Sequence, residues 1–186
     1  MISELFLRVM LFLMLATITS LKIIAKLYIM QCMNCINVCY TDYHPIFALS
    51  DIRTNKDLFD IVLYCTQMEG IAVYSSLNRR LSEYGLNDED YRVLLNQEEL
   101  IPRLQEFFEL TNELRNSPVR PMKSGDYEIL DAMSGRSMRL WYIAGAYIAK
   151  TIDSYFGRKE LIDTIIGGPK SYFASYEKIP LKTRIF

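Results

Sequence analysis

Between residues 50 and 81 the apolar side chains recur at helical spacing. Leu58, Ile61, Val62, Cys65, Met68, Ala72, Val73 and Leu77 form one stripe, and Ser50 or Asp51 stands where an N-cap belongs. Gly70 interrupts the stripe, which predicts a bend or the close approach of a neighbouring helix. Tyr84-Gly85 and Asn87-Asp88 mark a turn, and Asn87 can cap a short helix through Leu95. A further helix is predicted from near Glu99 to about Asn116, because Pro102 opposes an earlier continuous start. Its stripe is Leu100, Ile101, Leu104, Phe107, Phe108 and Leu114.

Residues 117–125 hold two prolines and a glycine and read as a loop, with a short helix over 126–133. From 136 to 157 the apolar residues Ile143, Ala144, Ala146, Tyr147, Ile148 and Ala149 surround Gly145 on nearly every side. A helix so apolar around its circumference is central to its domain. Ser137 is its candidate N-cap and Gly157 its natural stop. A helix over 158–166 follows. Gly167-Gly168-Pro169 breaks it, and a last short helix runs to about Tyr176. No convincing two-residue alternation appears. The expectation is an all-α domain of about six helices over residues 45–186, preceded by an apolar N-terminal helix within residues 1–44.

Composition narrows the chemistry. Charged residues are 23% and hydrophobic residues 51% of the chain, enough to bury a core. The net charge is −1, from 21 Lys+Arg against 22 Asp+Glu, which disfavours nucleic acid as a partner. The chain has one histidine, His44, so no site needing two from one chain can form.

The apolar segment 5–31 has an uncharged stretch of thirteen residues, Val9–Leu21, followed by Lys22 and Lys26. A spanning helix wants about 20 residues. Three readings compete: a signal peptide, a spanning or interfacial helix whose lysines snorkel, and a buried helix. The first two imply a membrane-associated or exported protein, the third a cytoplasmic one. Cys32, Cys35 and Cys39 follow, with His44 five residues later. Three sulfurs and an imidazole could hold zinc, but the signal is half of a metal motif. The bland reading is incidental thiols beside a loop histidine that precedes Pro45.

Two short motifs then stand in order. Glu69-Gly70-Ile71-Ala72-Val73-Tyr74 is the first. The second is Tyr142-x-x-Gly145, followed by Ala149, Ile152, Gly157-Arg158 and Leu161. Together they resemble the helical closing part of zinc-dependent peptidases of the gluzincin type. The resemblance implies that Glu69 corresponds to the third zinc ligand, that Tyr142 stands where a phenol could stabilise an oxyanion, and that zinc is the family's cofactor. The catalytic H-E-x-x-H helix, with two imidazoles one turn apart, has no counterpart. Only Tyr43-His44-Pro45-Ile46-Phe47 stands in that neighbourhood.

The expectation is therefore a truncated or degenerate peptidase domain, inactive by itself and binding no cofactor as it stands. Without that chemistry Glu69 is a packed or solvated carboxylate and Tyr142 a core aromatic. Arg136 and Arg139 flank the central helix and could bind an acidic group. The alternative is a membrane-tethered helical module that binds a peptide or protein. Nucleophilic catalysis by Cys39 or Cys65 beside His44 is a weaker reading, with no local sequence in its support.

Overall fold

The computed structural model describes residues 40, 43–44, 49–83, 89–135 and 137–185. Six α-helices occupy the described residues: α1 (Asn55–Glu83), α2 (Glu89–Leu95), α3 (Gln97–Asn116), α4 (Ser124–Ser134), α5 (Leu140–Phe156) and α6 (Arg158–Glu177). The only β-pairing among them is an isolated bridge between Thr54 and Pro121. The described residues are all-α, as the periodicity predicts.

α5 is the hub. Leu140, Trp141, Ile143, Ala144, Ala146, Ile148, Ala149 and Ile152 are all buried on it. α1 lies against it along much of its length, and α3, α4 and α6 cover the remaining sides. The core is continuous from Leu58 and Ile61 on α1 through Leu104 and Phe107 on α3 to Tyr172 on α6.

Several boundaries differ from the sequence expectation, each for a local reason. α1 does not start at Ser50 or Asp51, where Leu49–Asp51 makes a short 3-10 turn instead. Its start is fixed by a reciprocal cap. Thr54 Oγ1 accepts the Asp57 N–H at 3.2 Å, and Asp57 Oδ2 accepts the Thr54 N–H at 2.8 Å. α3 starts at Gln97, ahead of Glu99, because the Asn96 side chain accepts the Glu98 N–H. Pro102 is carried inside it. The missing N–H deprives only the carbonyl of Glu98, an exposed first-turn residue. α5 is preceded by Arg139, not capped by Ser137.

Gly157 does end α5, with φ 89°. Gly168, with φ 74°, kinks α6 as the Gly-Gly-Pro run predicts. The loop before α4 is tied to the start of α1. Asn55 donates to the Pro118 carbonyl and accepts the Arg120 N–H, at 3.1 and 2.9 Å.

The apolar segment 5–31 and the cysteines Cys32, Cys35 and Cys39 lie outside the described residues. Among the described residues no helix is long and apolar enough to cross a membrane.

Candidate functional site

The two sequence motifs meet where α1 crosses α5. A Cβ on Gly70 would lie 2.3 Å from the Gly145 backbone, and one on Gly145 would lie 2.0 Å from the Thr66 carbonyl oxygen. Neither distance is compatible with a side chain. The helices therefore touch backbone to backbone, which only glycine allows. Ala146 follows Gly145 in the same contact. The Gly145 carbonyl accepts the Tyr172 hydroxyl at 2.5 Å, so α6 is fastened to the same crossing.

The crossing brings residue 69 and residue 142 to one neighbourhood. Glu69 precedes Gly70, and Tyr142 stands one turn before Gly145 on the same face of α5. Cys65 lies one turn before Glu69, and Arg139 stands immediately before α5. The electrostatics link the four. Burial raises the Glu69 carboxyl above the ordinary carboxylate range, and the nearby Arg139 guanidinium partly opposes that rise. Burial raises the Tyr142 phenol, and the charge of Glu69 adds to it. Burial and Glu69 together push the Cys65 thiol up to about 12. Glu69 is half-buried.

Arg139 organises this rim. Its Nε and Nη2 donate to the two carboxylate oxygens of Asp90 on α2, at 2.5 and 2.8 Å. Such a fork on a carboxylate is directional as well as strong. The side chain of Asp90 is 11% exposed and that of Arg139 29%. The guanidinium carbon lies 4.0 Å from the centre of the Tyr142 ring, a cation–π stack. The backbone of Arg139 is left-handed, with φ 51° and ψ 39°, and it is the single non-glycine residue of that kind among those described. That conformation costs roughly 1–2 kcal/mol. Next to it the Trp141 indole N–H is buried beside the Tyr142 phenol, which it holds down against the effect of burial.

A second polar cluster closes the far side of the first motif. The Tyr74 hydroxyl donates to Asp153 at 2.6 Å, and Arg158 pairs with the same carboxylate at 2.6 Å. The Arg158 guanidinium also lies over the Tyr74 ring, 5.6 Å from its centre. The tyrosine of the first motif and the arginine after Gly157 thus share one carboxylate, which joins α1, α5 and α6.

His44 belongs elsewhere. Its Nε2–H donates to the Ile165 carbonyl at 2.7 Å, and its ring stacks beside Tyr40. It also fills the space that a Cβ on Gly168 would need, with Cε1 2.7 Å away. It buttresses the α6 kink. Tyr40 is itself buried and tied through Gln67 to the Thr164 carbonyl. The structure thus brings Glu69 and Tyr142 together and leaves His44 apart. Cys65 is the one cysteine it describes, and Arg136 lies outside the described residues.

Two participants are not legible in the sequence as site residues. Asp90 reads there as an ordinary first-turn acid of a short helix, and its partner is 49 residues away. Trp141 reads as one more core aromatic.

Residues 43–183 match a family described as "Putative zinc dependent peptidase (DUF5700)". No curated protein and no solved structure matches the chain.

Proposed function

The chain belongs to that family of putative zinc-dependent peptidases, and on this premise we propose that it carries the helical closing half of a gluzincin-type domain. In this reading Glu69 stands at the third-ligand position and Tyr142 at the position of the phenol. The domain does not hydrolyse peptides by itself. The observation that carries the reading is the Gly70–Gly145 crossing, which gathers the two separate motifs at one place.

The described residues do not fit a catalytic zinc. Such a site takes three protein ligands, with imidazoles prominent among them. Among the described residues no group of three or more His, Cys, Asp or Glu side chains could hold a metal. Glu69 offers one carboxylate. Burial and Glu69 push the Cys65 thiol up to about 12, and His44 lies apart from both, against the Ile165 carbonyl of α6. With one histidine in 186 residues, the H-E-x-x-H pair is not in this sequence. A zinc ion in a family member would polarise the scissile carbonyl and activate water. Here Glu69 and Tyr142 keep their places without that chemistry.

A quenched-peptide cleavage assay with added zinc, and again with a chelator, tests the proposal. The expected result is no zinc-dependent turnover. Chelator-sensitive cleavage that Glu69→Ala removes would overturn it.

A further inference from the structure

We propose that Arg139, clamped by Asp90, is the positioning residue of this site: a fixed cation that holds the Tyr142 ring and whose charge acts on Glu69. The inference rests on the reading of the site just given and deepens it. A guanidinium cannot lose its proton, so its charge is permanent. Two of its nitrogens are spent on Asp90, which fixes its plane. That plane is stacked on Tyr142 at 4.0 Å. Its backbone is held in a left-handed conformation that a bulky residue keeps only where its surroundings over-determine it.

The charge of Arg139 acts on Glu69, and the charge of Glu69 acts on Tyr142 of α5 and on Cys65 of its own helix. Of these, Arg139 is the cation. The competing account is purely architectural, with Arg139 tying α2 to α5 through Asp90 and nothing more. It predicts energetic coupling to Asp90 and none to Glu69.

A double-mutant cycle in urea at neutral pH separates the two. Arg139→Met is made in the native chain and in Glu69→Gln. The unfolding constant should shift more in the chain that keeps Glu69, by roughly threefold or more. Equal shifts would overturn the proposal. Arg139→Met strands the Asp90 carboxylate and could prevent folding, so the same cycle is run on Asp90→Asn, with the same two outcomes.

A cobalt(II) titration gives an independent reading. Identical visible spectra for the native chain and Glu69→Gln are expected. A Glu69-dependent absorption band would contradict the assignment. Zinc-dependent cleavage that survives Glu69→Gln would overturn the inactivity proposed above and leave Arg139 in its role. Equal shifts in the cycle, with no cleavage, would do the reverse.

Discussion

The α1–α5 crossing and the rim beside it lie within two turns of each other and are built in opposite ways. At the crossing, Gly70 and Gly145 work by having no side chain. Backbone meets backbone, and the Tyr172 hydroxyl donates to the Gly145 carbonyl. At the rim, Asp90, Arg139 and Tyr142 work through long polar side chains held by charge and stacking. The crossing sets position through steric exclusion, which has almost no tolerance. The rim sets orientation through a fork and a stack, which tolerate small shifts but not the loss of a partner. The difference shows how this sequence aims two separate polar residues at one place. The dry contact fixes where the helices are, and the wet edge fixes which way the side chains point.

Breaking the crossing should have the largest effect. Gly145→Ala puts a methyl group 2.0 Å from the Thr66 oxygen, so the helices must part. The expected loss is about 3 kcal/mol or more in urea unfolding, at the upper end for overpacking. Breaking the rim should cost less. Asp90→Ala leaves the Arg139 guanidinium without its fork, and about 2 kcal/mol should be lost, since that side chain keeps some access to water. Arg139→Lys should recover only part of the function of the pair, because an ammonium cannot reproduce the bidentate geometry.

A half-buried ion pair outside both regions gives the pH control. Asp126 receives two bonds from Arg120 and one from the Lys123 N–H. The Arg120 guanidinium holds its carboxyl below the ordinary carboxylate range. A lowered folded-state value means stability that is fully present above the ordinary carboxylate range. It is lost as the pH falls through the folded value. Acid unfolding curves of the native chain and Asp126→Asn should therefore differ at neutral pH and converge at low pH. The smallest effect has the opposite sign. Gly125 lies in α4 with nothing within 4 Å of a Cβ. Gly125→Ala should stabilise by about 0.7 kcal/mol in the same urea assay. The same chemical change at residues 145 and 125 then reads out opposite effects, one from space and one from chain entropy.

Much of the helical layout is legible in the periodicity. The buried all-round character of α5, the stop at Gly157 and the Gly168 kink follow from local composition. So does the expectation of a close helix at Gly70, which is met by Gly145. The start of α1 is less legible, because Ser50, Asp51 and Thr54 are all good cap residues. Only the Thr54–Asp57 reciprocity together with the anchor of Asn55 on Pro118 and Arg120 decides between them. Arg139 is visible beforehand as an arginine able to take an acidic group. That the group is Asp90, and that the backbone must be left-handed to deliver the guanidinium, is not. Local propensity holds no information about a partner on another helix.

What the sequence determined by itself is the set of helices, the glycines that demand close contact, and the lack of a second histidine. These are properties of residue type and spacing, which the chain carries in any conformation. What the tertiary structure decided is the company each polar residue keeps. The charge of Arg139 acts on Glu69, and Tyr142 lies under the same guanidinium. His44 is turned away onto α6. Those pairings depend on the crossing of α1 and α5, and a crossing is a relation between distant segments that no local window contains.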